Sequence, residues 1–179
     1  MHLCTPLEVT FMFAEKALAA FALCLAAACA SGGTAASDSP VEPAIQVQAA
    51  ALQYVFRNND SRLGSSADSY CVGLGTGLLH SDPSPDLLRL LRAETLEATR
   101  LSNCARGRDA TGSWQVVDAL SRLPSLAFLV EQPTFPDSDT ARVYLEYVES
   151  ARFATGYDCS LGRTAEGWEV QECRAGFPR

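Results

Sequence analysis

Apolar side chains recur at helical spacing in two segments of the chain. Residues 45–57 carry an apolar residue at every third or fourth position, which predicts an amphipathic helix that the polar run at 58–61 ends. Ser84, Pro85 and Asp86 predict the start of a second helix, because a capping hydroxyl, a proline and an acidic side chain are all favoured in a first turn.

Alternation of apolar and polar residues predicts strands in much of the remaining chain. The predicted strands cover residues 70–74, 98–103, 114–120, 126–130, 141–147, 152–161 and 168–174. In the strand 141–147 the odd-numbered residues are expected to face the core and the even-numbered ones, Tyr144 and Glu146 among them, to face solvent. The last two strands would form a hairpin around a turn at 164–167, so that the C-terminal half is an antiparallel meander.

The predicted elements belong to an α+β domain, in which one or two helices pack on a curved, mostly antiparallel sheet. Their order over residues 45–175 is similar to that of nuclear-transport-factor-two-like and cystatin-like domains. That similarity implies a fold only, because one fold hosts many functions.

An uncharged apolar run precedes the predicted domain. Ala17–Ala28 spans twelve residues, which is long enough for a secretory signal and too short for a membrane-spanning helix of about 20 residues. Residues 1–28 are therefore predicted to be an export signal, and Met12 is an alternative start for it.

Small residues followed by a cysteine close this apolar run. The sequence Ala26-Ala27-Ala28-Cys29 resembles the processing site of a bacterial lipoprotein precursor, which implies that Cys29 becomes the first mature residue and carries a lipid anchor. The resemblance implies attachment to the cell envelope, at the outer membrane if the cell has one. Cleavage after Ala30 would instead release a periplasmic or secreted protein, and an uncleaved anchor is a third alternative.

Small and polar residues with two prolines make up residues 29–44, which predicts a flexible tether. A single globular domain is predicted over residues 45–179. A tether of this kind is useful between a lipid anchor and a folded domain.

Four cysteines lie in the predicted domain, and an even number in an exported chain indicates two disulfides. Three connectivities are possible. The pairs Cys71–Cys104 and Cys159–Cys173 are favoured because each brackets one supersecondary unit. The paired spacing of a four-cysteine zinc site is absent, and we predict neither a metal nor another cofactor.

The charge distribution and the shortage of histidine and lysine exclude several kinds of chemistry. A net charge of −7 argues against a nucleic-acid partner, and Lys16, in the predicted signal, is the only lysine. His80 is the only histidine of the domain, and with Asp82 it is a weak candidate for the acid–base pair of an envelope hydrolase. The carboxylates of Glu146 and Glu149 are expected on a solvated strand face.

Aromatic residues are the last candidates for a site. Seven of them, Tyr70, Trp114, Tyr144, Tyr147, Phe153, Tyr157 and Trp168, would either fill the core or line a small-ligand pocket. The favoured function is a lipid-anchored envelope protein with a non-enzymatic binding or interaction domain. Its partner would be an envelope protein or a small ligand, and its membrane contact would be the lipid.

Overall fold

Two α-helices, one 3₁₀-helix and nine strands make up the part of the chain that the computed structural model describes, residues 40–58, 67, 69–77, 79–93, 97–150 and 152–179. The helices are α1 (Pro43–Asn58), α2 (Pro85–Arg92) and the 3₁₀-helix Leu101–Asn103. The strands are β1 (Tyr70–Thr76), β2 (Leu79–Ser81), β3 (Ala98–Arg100), β4 (Cys104–Arg108), β5 (Trp114–Asp118), β6 (Leu126–Val130), β7 (Thr140–Ser150), β8 (Phe153–Thr164) and β9 (Gly167–Gly176). The predicted export signal and Cys29 lie outside the described residues.

Helix α1 buries one apolar face against the sheet, as its periodicity predicts. Val47, Ala51, Leu52 and Val55 are inaccessible to solvent, and they follow one another at the three- to four-residue spacing of a helical stripe. The helix begins at Pro43, two residues before the predicted start and within the segment predicted as tether.

The predicted start of the second helix is confirmed. The side chain of Ser84 accepts a hydrogen bond from the backbone N–H of Leu87 at 3.2 Å, and Pro85 occupies the first turn. A capping hydroxyl satisfies one of the backbone donors that a helix leaves unpaired at its N-terminus.

The sheet is mostly antiparallel, and the α+β class is confirmed. Its order is β2-β1-β6-β7-β5-β4, with β3 beside β1, and with β8 and then β9 following β7. The antiparallel meander predicted for the C-terminal half is wrong at its first strand, because β5 joins β7 through the single pair Gln115 and Ser150 and does not pair with β6. Strand β6 instead lies between β1, to which it is parallel, and β7, to which it is antiparallel. These long-range pairings leave no mark in the local alternation of residues.

Both favoured disulfides are present. Cys159 and Cys173 lie directly opposite each other in the hairpin formed by β8 and β9, whose turn lies at the predicted position between Thr164 and Gly167. Cys71 of β1 and Cys104 of β4 are joined with 6.2 Å between their Cα atoms. The bond between Cys71 and Cys104 thus joins two strands that do not pair with each other.

The two faces of the sheet are covered by different elements. Helices α1 and α2 cover the first face, whose core contains the ring of Phe128 between those of Phe56 and Tyr147 at centroid distances of 4.4 Å and 5.5 Å. A smaller cluster, around Cys71 and Val116, lies on the second face beneath the β4–β5 hairpin. The hairpin therefore forms a separate wall over part of the sheet.

Two local predictions are wrong for reasons of tertiary packing. The strand expected at 98–103 ends at Arg100, where the chain turns through a 3₁₀-helix before β4. Tyr144 and Glu146, expected in solvent, are only 5% and 3% exposed, because the residues after β9 lie over that part of the second face.

Candidate functional site

A groove of about 570 Å³ opens on the second face of the sheet, between the sheet and the β4–β5 hairpin. Its apolar walls come from the 3₁₀-helix, β5, β6 and β7 and are formed by Leu101, Trp114, Val116, Ala127, Leu129 and Val148. Because β5 joins β7 at one residue pair only, the β4–β5 hairpin lies over β1 and β6, where Val116 packs with Cys71 and Ala127, and it encloses this space.

Glycine at position 73 allows the floor of the groove to form. A Cβ atom there would lie 2.7 Å from Cδ2 of Leu101 and 2.9 Å from Cδ2 of Leu129. Both distances are shorter than carbon atoms tolerate, so the two leucine side chains reach across β1 only because residue 73 has no side chain.

His80 and Asp82 lie at the rim of this groove, close to each other in sequence and in space. Both oxygens of Asp82 are engaged by Ser102: Oδ1 accepts from its backbone N–H at 2.9 Å and Oδ2 from its hydroxyl at 2.7 Å. The hydroxyl bond is the main reason that the pKa of Asp82 lies below its ordinary value, since hydrogen bonds favour the charged carboxylate.

The histidine is exposed and is held by the backbone. Its Nδ1 atom lies 3.2 Å from the carbonyl oxygen of Gly77, within the tight turn between β1 and β2. No hydrogen bond joins His80 to Asp82 in the described part of the chain, although the imidazole is near enough to influence that carboxylate. The two side chains are therefore neighbours at the rim of the groove, without a direct hydrogen bond between them in the described ranges.

A second polar region surrounds the buried carboxylate of Glu146. It accepts hydrogen bonds from the hydroxyl of Tyr144 at 3.2 Å and from backbone N–H groups of Arg179 and Gly77 at 3.1 Å and 3.3 Å. The guanidinium of Arg179 lies over the ring of Tyr144 and bonds to Asp158 at 2.7 Å. The donors and acceptors of this region are therefore paired with one another, and their contacts hold the segment after β9 against the sheet.

The second predicted carboxylate, Glu149, is also buried and not solvated. It accepts a hydrogen bond from the hydroxyl of Tyr147, on the face opposite to Glu146. Two tyrosine–glutamate pairs at a spacing of two residues thus occupy the two faces of β7, and each keeps a buried carboxylate hydrogen-bonded.

Among the seven aromatic candidates, Trp114 is the one that lines the groove, whereas Tyr144 lies beneath the segment after β9. Tyr70 and Tyr147 belong to the core cluster around Phe128, whereas Trp114 lines the groove and carries the guanidinium of Arg106 at 5.1 Å from its ring centroid. Leu101 and Leu129 carry no signal in the sequence that marks them as wall residues, and Trp114 is the only wall residue among the aromatic candidates.

The described residues contain no group of three or more histidine, cysteine or acidic side chains placed to hold a metal ion. None of the helices within the described ranges is long and apolar enough to cross a membrane.

Comparisons with known proteins add no relative to this picture. No protein-family model, no curated protein and no solved structure matches the chain.

Proposed function

We propose that this chain is an exported protein, anchored to the cell envelope through a lipid on Cys29, and that its domain is a non-enzymatic binding module. The observation that carries the binding role is the groove under the β4–β5 hairpin, whose size and apolar walls suit a small, largely apolar molecule. The partner of the domain is thus a small ligand and not a nucleic acid.

The size and the lining of the groove support this role. A volume of about 570 Å³ lies within the range of roughly 300–1,000 Å³ that small-ligand sites occupy. Its walls are apolar, and its polar groups, those of His80, Ser81 and Asp82 among them, lie at the rim. An apolar molecule would gain by leaving water for the walls, and the rim would restrict its orientation.

Export is supported by the two disulfides, since such bonds persist in oxidising compartments outside the cytosol. The lipid anchor is supported by the resemblance of residues 17–29 to a lipoprotein signal. Attachment to a bilayer would place the groove where sparingly soluble molecules are concentrated.

The hydrolase alternative has weaker support. Asp82 is the carboxylate nearest to His80 in sequence that could orient its ring, and both of its oxygens already accept hydrogen bonds from Ser102. The groove needs no rearrangement to accept a ligand, whereas catalysis by His80 would need a new partner for its ring.

Filling the groove should weaken binding of a neutral fluorescent probe, N-phenyl-1-naphthylamine. Ala127→Leu adds three carbon atoms to the wall and should reduce the affinity about tenfold, because the added atoms occupy the space of the ligand. The full-length chain carrying Cys29→Ser is titrated, and the increase in probe fluorescence gives Kd.

The matched control for this experiment is Ala119→Leu, which makes the same change at an exposed position after β5. It should leave Kd unchanged. Equal affinity of both variants, or the absence of saturable binding to the parent chain, would argue against the groove as the binding site.

Replacing Cys29 with serine should abolish metabolic labelling with palmitate, because the thioether that holds the diacylglycerol needs the cysteine sulfur. Cys24→Ser is the control, since Cys24 lies within the apolar run and outside the processing site. We expect full labelling of the control in bacterial cells. Labelling that persists in the Cys29 variant would refute the lipid anchor and leave the groove proposal untouched.

A further inference from the structure

Four arginines surround an open cavity of about 940 Å³ at the outer end of the β4–β5 hairpin. They are Arg106 and Arg108 of β4, Arg122 of the turn after β5 and Arg152 of the turn before β8. The cavity adjoins the apolar groove, since Arg106 and Trp114 line both.

The positive charge of this cavity is not neutralised by its own walls. No aspartate or glutamate is among the residues that line it, and none of the four guanidinium groups forms an ion pair with a carboxylate in the described ranges. This concentration is unusual in a chain whose net charge is −7. By contrast, the cavity near Tyr144 contains both signs, and Arg174 and Arg179 there are paired with Glu172 and Asp158.

Two of the four side chains are held in place by contacts other than ion pairs. Arg106 lies over the ring of Trp114, and Nη1 of Arg108 donates to the carbonyl oxygen of Gly112 at 2.6 Å. A guanidinium that stacks on an aromatic ring keeps its edge donors available to a ligand.

The turn that presents Arg122 has an uncommon backbone. Arg122 has a φ of 64°, and it is the only non-glycine residue with positive φ in the part of the chain that the structure describes. Asp118 holds this turn, because its Oδ1 accepts the N–H groups of Leu120 and Ser121 and its carbonyl oxygen accepts that of Arg122. The left-handed conformation costs free energy in a residue with a side chain, yet the turn keeps an arginine there.

The carboxylate of Asp109, in the turn between β4 and β5, lies near enough to interact with Arg152, and it is already engaged. It accepts the hydroxyl and the N–H of Thr111 at 2.7 Å and 2.8 Å and the N–H of Ser113 at 2.9 Å. Its charge also interacts with Arg152, which offsets part of the cationic field. Arg152 forms no ion pair with Asp109 in the described ranges, so the donors of its guanidinium are available to a ligand.

We propose that this arginine cavity is a binding site for a phosphate group. Guanidinium groups donate in pairs to phosphate oxygens, and converging donors fit a tetrahedral anion better than a planar carboxylate. A phosphate dianion also neutralises more of the positive charge of the cavity than a singly charged acid does. The inference is independent of the occupant of the groove, so that either proposal can fail alone.

The cavity and the N-terminus of α1 lie at opposite ends of β7. Pro43 lies beside Phe135 and Trp168, near the first residue of β7, whereas Arg152 follows its last residue. Eleven residues of strand separate these ends, a length of about 33 Å. A phosphate would therefore reach this cavity at the end of the domain opposite to the start of α1.

Phosphate binding can be measured by NMR on the full-length chain carrying Cys29→Ser. Inorganic phosphate should shift the indole N–H signal of Trp114 saturably, with a Kd of about 1 mM or tighter at low salt. The only other tryptophan, Trp168, packs on Phe135 at the far end of the domain, and its signal should not move. Acetate at the same ionic strength should shift Trp114 far less.

Arg106→Ala/Arg152→Ala should weaken the phosphate affinity at least about tenfold, because two charge-assisted donors are lost. Both side chains are exposed, so that the substitutions leave the core intact. Arg163→Ala/Arg174→Ala is the control, since it removes the same charge at exposed positions outside the cavity. Equal weakening in both variants, equal responses to phosphate and acetate, or no saturable shift of Trp114 by about 20 mM phosphate would overturn the proposal.

A second experiment distinguishes two sources of the phosphate group, a lipid headgroup and a soluble phosphate ester. Sedimentation with phosphatidylglycerol vesicles that is lost in Arg106→Ala/Arg152→Ala identifies a lipid headgroup as the ligand. Binding of glycerol 3-phosphate without sedimentation identifies a soluble phosphate ester. Failure of both, together with a negative phosphate titration, contradicts the site.

Discussion

Replacing Phe128 with alanine should lower the free energy of unfolding by about 3–5 kcal/mol, the usual cost of removing a fully buried aromatic ring. The side chain of Phe128 is inaccessible to solvent, and its ring contacts the rings of Phe56, Tyr70 and Tyr147. The helices and β6 would have to collapse onto the empty volume, which the close packing of two helices on a sheet resists. Chemical denaturation followed by far-ultraviolet circular dichroism measures this change.

Phe177→Ala is the matched control, because the side chain of Phe177 is 94% exposed. It should change the free energy of unfolding by less than about 0.5 kcal/mol, as surface substitutions do. A similar loss in both variants would show that the ring of Phe128 does not lie at the centre of the core.

Removing the bond between β1 and β4 has the second large expected effect. Cys71→Ala/Cys104→Ala should lower the free energy of unfolding by about 3–4 kcal/mol, because the bond closes a loop of 33 residues and restricts the unfolded chain. The hairpin that forms one wall of the groove would also lose its covalent link to β1. We therefore expect probe binding in the groove to weaken along with stability.

Cys159→Ala/Cys173→Ala separates these two effects. Its loop of 14 residues predicts a loss of about 3 kcal/mol, but both cysteines lie in the β8–β9 hairpin, away from the groove. Binding of the probe by the folded fraction should therefore be unchanged. Two results would contradict the role assigned to the Cys71–Cys104 bond. One is a loss of unfolding free energy below about 1 kcal/mol for Cys71→Ala/Cys104→Ala, and the other is an equal loss of probe binding in both double variants.

The groove and the arginine cavity meet at Trp114, which lines both. A molecule with an apolar body and a phosphate group could occupy both, with the indole ring and Arg106 at the junction. The probe and phosphate experiments address the two spaces separately, so that a ligand of either kind can be recognised.

Local sequence patterns determined most elements of this protein and its two disulfides, but β2 and β4 were not among the predicted strands. Helix α1, the cap at Ser84 and the β8–β9 hairpin depend on residues near one another in the chain, and such interactions leave a periodic or a positional mark. The pairing of cysteines followed from the same local units. Residues 1–39, with Cys29, carry predictions that experiments on the export pathway must test.

Only the tertiary structure determines where the groove and the arginine cavity form. The parallel pairing of β6 with β1 and the single contact of β5 with β7 place the hairpin over the sheet, and they join residues far apart in the chain. Burial of Tyr144 and Glu146 depends likewise on a segment more than thirty residues later. Four arginines separated by up to 46 positions converge for the same reason: each local sequence favours a charged surface residue, and only the long-range pairing of strands brings those charges together.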